Sequence, residues 1–350
     1  MMQVPVPQAA RRRMQPSSRA VFGEVVGGRW QHCAPREVGL PCEHATEGTE
    51  MTNQPYRAVF FDLDGTLLPM DVNAFMKTYF HALGAYVARF GVVPDAFMAG
   101  MKTGIMNMVQ HDDGTPNDQA FWAGFFAHVD ETACDWPVEI ARFYEDEFGA
   151  IGADVQPNPA AARAINALAA KGYPLVLATM PMFPRRAVEW RLTWAGVDPN
   201  AFSRITTFEN STSVKPKPAY YAENLAAAGL AGADVLMVGN NTKEDLAACA
   251  LGAAGYLVTD FLLNPADLDV ETVPHGTLED FADWAEQLPV CTNPATGIAD
   301  ALVPAAAREA ALAAAGIAPD QAGAGGARTL TDAAKSGGAS ETFKINGMGD

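Results

Sequence analysis

Short apolar runs alternate along this chain with helical patterns that end on glycine, and that alternation leaves few ways to fold. Four runs read as buried strands: Ala58–Leu63 (AVFFDL), Pro174–Thr179 (PLVLAT), Asp234–Val238 (DVLMV) and Gly255–Thr259 (GYLVT). Each is short and bounded, as strands buried on both faces are. Helical patterns accompany them over Pro159–Lys171, Pro184–Ala195, Pro218–Ala228 and Lys243–Leu251. Gly172, Gly196, Gly229 and Gly252 then stand where left-handed C-terminal caps belong. Strand alternating with helix predicts βαβ units and an α/β parallel sheet covered on both faces.

One interval breaks the rhythm. Between Leu68 and the next core helix the chain looks helical throughout (NAFMKTYFHALGAYVARFG, FWAGFFAHV, PVEIARFYEDEFG). An α-helical cap over 72–157, inserted after the first strand, is therefore expected, with the α/β core made of 57–71 and 158–290. Residues 1–56 show no period of strand or helix and are expected to be disordered, or a mis-assigned start with Met51 as the true initiator. Residues 291–350 turn Ala/Gly-rich and are expected to be largely disordered, apart from an Ala-rich helix near 304–315.

Charge narrows the partners. Lys and Arg total 24 against 41 Asp and Glu, a formal net charge of −17. A general nucleic-acid binder needs a basic face, so none is expected. No apolar stretch approaches a membrane span, and no membrane partner is expected. The 5 cysteines are too scattered for a disulfide framework or a zinc site, which fits a reducing cytoplasm. Oligomeric state is not legible.

The densest chemical signal closes the first strand: Phe60-Phe61-Asp62-Leu63-Asp64-Gly65-Thr66-Leu67-Leu68. Ligands of open parallel sheets bind beyond the strands' carboxyl ends. Two carboxylates there can divide the work of nucleophile and general acid, and Gly65 lets the chain turn sharply. A calcium loop would need alternating oxygen ligands where Thr66-Leu67-Leu68 stand.

This segment resembles the first motif of the haloacid dehalogenase superfamily, DxDGTL. Three further segments resemble its other motifs in order. Thr179 closes PLVLAT, Lys215 opens Lys215-Pro216-Lys217-Pro218-Ala219-Tyr220-Tyr221, and Val238-Gly239-Asn240-Asn241-Thr242-Lys243-Glu244-Asp245 follows the DVLMV strand. The resemblance implies a Rossmann-like, doubly wound core with an inserted cap. It implies Asp62 as nucleophile, forming an aspartyl-phosphate, and Asp64 as acid and base. Thr179, with the Met180 N–H, would hold a phosphoryl oxygen, and Lys215 would bind the phosphoryl group. Mg²⁺ would sit on Asp62, the Asp64 carbonyl and a fourth-motif side chain, Asn240 or Asp245.

The fourth motif departs from the common pattern, because Asn240 and Asn241 are uncharged where carboxylates usually stand. Weak metal affinity is the expectation. The function so implied is a Mg²⁺-dependent phosphatase of a small phosphorylated metabolite. A phosphomutase, a haloacid-type dehalogenase and a weakened binding protein use the same fold, but a dehalogenase has no need of an acid at Asp64. The remaining features read as packing or surface: Arg185 and Arg186 as solvated charges, Trp190 and Trp194 as core, and the cap's Phe and Met residues as helix packing.

Overall fold

The computed structural model describes residues 56–323. The expectations for 1–55 and 324–350 lie outside the described residues. Six strands form one parallel sheet: β1 (Ala58–Phe61), β2 (Leu175–Leu177), β3 (Arg204–Ile205), β4 (Val235–Gly239), β5 (Ala254–Val258) and β6 (His275–Gly276). Their order is β3-β2-β1-β4-β5-β6. Phe60 stands opposite Val176 on one side and Met237 on the other, so β1 is central. The chain winds outward from β1 to β3, then crosses back to β4 and winds outward again. The crevice beyond β1 and β4 is therefore the switch point of the sheet, where such folds bind ligands.

Side-chain alternation along β1 divides the core. Val59 and Phe61 enter a cluster with Ile165 and Leu168 of α5 (Pro159–Ala170) and Phe281 of α8 (Leu278–Gln287). Ala58 and Phe60 enter the opposite cluster, with Tyr220 and Leu225 of α7 (Pro218–Ala228). Gly172, Gly196, Gly229 and Gly252 all take positive φ just past the elements they end. Strands β3 and β6 leave too few residues to stand out as apolar runs. The segment Lys243–Leu251 is not an α-helix but a 3₁₀ turn over Asp245–Leu251. Asp245 is held back toward Asn241, and Gly252 stops the chain, so the interval is too short to propagate an α-helix.

Four helices lie between β1 and α5 in the chain: α1 (Val72–Val87), α2 (Pro94–Gln110), α3 (Asn117–Phe125) and α4 (Trp136–Asp146). Asp71 caps α1 through the N–H groups of Asn73 and Ala74. Where α2 meets α3, a Cβ on Gly124 would come 2.8 Å from the Gly104 Cα, so glycine permits the contact. This helical insert packs on α6 (Arg185–Trp194) through aromatic rings. Trp194 stacks on Phe148 at 5.2 Å, and the Trp190 indole donates to the Tyr144 carbonyl at 3.0 Å. Arg186 pairs with Glu145 of α4, and Arg185 pairs with Glu189 and Asp300, so neither is a free surface charge.

The expectation that the chain is largely unstructured from 291 does not hold for residues 291–323. Helix α9 (Ala305–Ala314) buries Leu312 in the α7 cluster. Ahead of it, the Asp300 carboxylate accepts the Ile205 N–H and so covers the edge strand β3. Buried Arg204 donates to the carbonyls of Ala299, Ala301 and Asn210. An Ala-rich segment cannot fold alone, but here a preformed face supplies its core. Among the described residues, no helix is long and apolar enough to cross a membrane.

Candidate active site

Each chemical side chain stands at a strand's carboxyl end for a local reason. The Asp62 N–H donates to the Val238 carbonyl at 2.9 Å, extending the β1–β4 ladder one residue beyond the strand. The chain then turns at Gly65, whose φ is +81°. A Cβ there would come 2.3 Å from the Asn240 amide nitrogen, so only glycine fits both the turn and the contact. Lys215 is presented by a buried run of small polar residues after β3. Asn210 organises that run, accepting the Thr207 N–H and donating to the Ile205 carbonyl.

Lys215 joins the strand ends. Its Nζ lies 2.7 Å from Asp62 Oδ1 and 2.6 Å from Asp245 Oδ1, and its side chain is 1% exposed. Two carboxylates share one ammonium, which holds the lysine well above its ordinary pKa against the opposing effect of burial. Burial first, and then the Asp62 charge, raises the Asp245 carboxyl, while Lys215 opposes that rise. Glu244 is also pushed up, to about 7, by burial and by Asp245. The cluster therefore has a surplus of negative charge before any ligand arrives.

Asp64 lies on the other side of the turn. Burial raises its carboxyl above the usual range, although Arg191 Nη1 lies 2.5 Å from its Oδ2. Thr179, fully buried, offers a hydroxyl with no hydrogen-bond partner among the described residues. Its carbonyl is fixed by the hydroxyls of Thr206 and Tyr220, each at 2.8 Å. Met180 follows it directly. Asp62, Lys215, Asp245, Asn240 and Thr66 are thus linked in one hydrogen-bonded cluster. Asp64 and Thr179 stand at its edge.

Two residues of the site have no role in the motif reading. Thr66 donates toward both Asp62 Oδ2 and Asn240 Oδ1, at 3.2 Å each. Arg191 is a buried cation on the stripe Ala187, Val188, Arg191, Leu192 and Ala195, which otherwise buries only apolar side chains. A lone charge on an apolar helix face was the available signal.

The donor set fits Mg²⁺ in part. A Thr66 hydroxyl has one proton for two oxygens, so either Asp62 Oδ2 or Asn240 Oδ1 always lacks that donor. Both are hard oxygen ligands, and magnesium commonly takes few protein groups. Asp245 is otherwise engaged: Oδ1 meets Lys215, and Oδ2 accepts the Asn241 N–H at 2.9 Å. Asn241 caps its own loop, accepting the N–H groups of Lys243 and Glu244. Among the described residues no group of three His, Cys, Asp or Glu is arranged to hold a metal ion.

The chain is similar to several solved structures. A solved structure described as a predicted phosphoglycolate phosphatase from Haemophilus somnus 129PT is 20% identical, with a TM-score of 0.41, covering 67% of this chain and 99% of that one. A HAD phosphatase from Thermococcus onnurineus is 17% identical, with a TM-score of 0.43 over 67% and 99% of the two chains. A defluorinating L-2-haloacid dehalogenase is 19% identical, with a TM-score of 0.40 over 67% and 95%. No curated protein sequence matches the chain significantly. The family model for haloacid dehalogenase-like hydrolases matches residues 56–252, more than half the chain, and this protein belongs to that family.

Proposed function

We infer that the protein is a phosphatase that hydrolyses a small phosphate monoester through a phosphoryl group carried on Asp62. One observation carries the choice among hydrolases of this family: a second carboxylate, Asp64, stands partly buried beside Asp62 with its Oδ2 on Arg191, and burial pushes its carboxyl above the usual range, as a proton donor to a leaving oxygen requires. A departing halide needs no proton.

In this reading one oxygen of Asp62 attacks phosphorus while the other keeps its place in the cluster, where Lys215 meets Oδ1 and the shared Thr66 hydroxyl reaches Oδ2. Asp64 gives its proton to the leaving alcohol. As a carboxylate it then takes a proton from the water that releases phosphate. Thr179 donates its unpartnered hydroxyl to an equatorial phosphoryl oxygen, and Lys215 offsets the charge building there. Mg²⁺, held by Asp62 and Asn240 with the Asp64 carbonyl, would supply positive charge against the phosphate dianion. Asp245 serves Lys215 instead.

Phosphate release from p-nitrophenyl phosphate and a panel of alkyl phosphates, with Mg²⁺ and with EDTA, tests the reading. The wild-type chain is expected to release phosphate at least ~10³-fold faster than Asp62→Asn. Release no faster than that variant overturns the phosphatase.

The metal shell has its own test. Asn240→Asp places a carboxylate oxygen against the Phe261 carbonyl, to which the amide now donates at 2.6 Å. The variant is expected to be less stable than wild type in EDTA and to regain stability as Mg²⁺ is added. Asn241→Asp, whose oxygen only caps a loop, is expected to leave the Mg²⁺ dependence unchanged. Thermal melts across a Mg²⁺ titration read both, and an unchanged Mg²⁺ response in Asn240→Asp removes Asn240 from the shell.

A further inference from the structure

Arg191 is buried at 1% exposure, yet its contact with Asp64 uses only Nη1. Its Nε and Nη2 have no hydrogen-bond partner among the described residues. Those two nitrogens form the side-on edge of a guanidinium, whose parallel N–H groups match the two oxygens of a carboxylate. A buried cation with an unpaired donor edge is costly unless a ligand completes it.

The surroundings say what kind of ligand carries the carboxylate. The guanidinium lies over the Phe183 ring, 4.7 Å from its centroid. Its charge also acts on the buried hydroxyls of Tyr79 and Tyr144, which are 2.7 Å apart. Phe183, Tyr79 and Tyr144 line a cavity of about 40 Å³ between the helical insert and the core, together with Met76, Leu83 and Met182. That lining is apolar, and the space suits a small hydrocarbon group and not a sugar. Arg191 thus touches Asp64, the acid that meets the leaving oxygen in this reading, and stacks on Phe183, which lines the small apolar cavity.

We propose that Arg191 selects the substrate by binding a carboxylate on the leaving group, so that the preferred ester is the phosphate of a short 2- or 3-hydroxy acid with an apolar body. This rests on the phosphatase reading and sharpens it. Nη1 holds Asp64 at the leaving oxygen, so a carboxylate on the neighbouring edge belongs to the ester carbon or the carbon beside it. The same cation fixes the acid and reads the alcohol that the acid protonates.

The test compares 2-phospholactate with isopropyl phosphate, which replaces the carboxylate by a methyl group on the same skeleton. The wild-type chain is expected to prefer 2-phospholactate by roughly 10²-fold or more in kcat/KM, because a site built for hydrogen bonds rejects the analogue lacking them. In Arg191→Gln the ratio is expected to fall to within about 3-fold, and Arg191→Lys, lacking the fork, to keep little of it. A purely structural Arg191 would lower both esters equally. Equal rates in the wild type, or a preference that survives in Arg191→Gln, overturns the proposal. The wild-type comparison stands even if the variants fail to fold. Thermal stabilisation by each ester in EDTA separates the two claims. Selective stabilisation by 2-phospholactate without any turnover sinks the phosphatase and keeps the carboxylate site. Turnover without selectivity does the reverse.

Discussion

Replacing Lys215 by methionine is expected to destabilise the protein by about 3–5 kcal/mol at pH 8 and to lower phosphatase kcat/KM by roughly 10³-fold. The ammonium is the only positive charge in direct contact with Asp62 and Asp245, among the described residues, and it is buried with them. Removing it leaves two carboxylates facing each other in a medium that solvates neither. The pH dependence follows from the sign of the shift. Asp245 is already raised with Lys215 present, and losing the lysine raises it further. A carboxyl whose folded pKa lies above its unfolded value contributes stability below the unfolded value, about 4, and loses it as pH rises through the folded one. The gap between variant and wild type is therefore narrow near pH 5 and wide at pH 8. Urea unfolding at both values measures it. Adding Asp245→Asn is expected to restore much of the stability but not the activity, because it removes the surplus charge and leaves phosphate without its cation. A single variant as stable as wild type at pH 8 would show that Lys215 does not hold the cluster.

The second large effect is selective. Asp64→Asn is expected to lower kcat for alkyl phosphates by about 10²–10⁴-fold and for p-nitrophenyl phosphate far less. An alkoxide departs poorly without a proton, whereas p-nitrophenolate departs without one. Burial raises the Asp64 carboxyl, so in the wild type the alkyl-ester rate falls as pH climbs through that raised value. The variant has no such alkaline limb. Because Arg191 then loses its charged partner, rates must be read well below the variant's melting temperature. Equal losses on both esters would mean that Asp64 positions the site and donates no proton.

Much of this site was legible before any coordinates. Asp62 and Asp64 end an apolar run, Thr179 closes a later one, Lys215 stands in the motif-like segment ahead of α7, and strand ends at a switch point meet. Pairings inside the cluster were not legible. Asp245 is a carboxylate four residues from Asn241, and spacing alone offers it to a metal. Only the fold shows that one oxygen belongs to Lys215 and the other to a loop N–H. Asn240 and Asn241 are likewise adjacent and chemically identical in sequence. One faces Asp62 through Thr66 and the other caps its own turn.

Local order decides what local sequence can announce. The strand runs, the capping glycines and the turn after Asp64 depend on neighbours within a few residues, so the sequence by itself determined the α/β core and the placing of the first carboxylates. Arg191 and the segment 291–323 depend on surfaces far away in the chain. Arg191 is a charge on an apolar stripe, which makes sense only beside Asp64, 127 residues earlier. An Ala-rich helix stays folded only because α7 presents a face that it cannot make itself. Burial and charge pairing are properties of the assembled molecule, and for that reason the tertiary structure alone decided which cation serves which carboxylate.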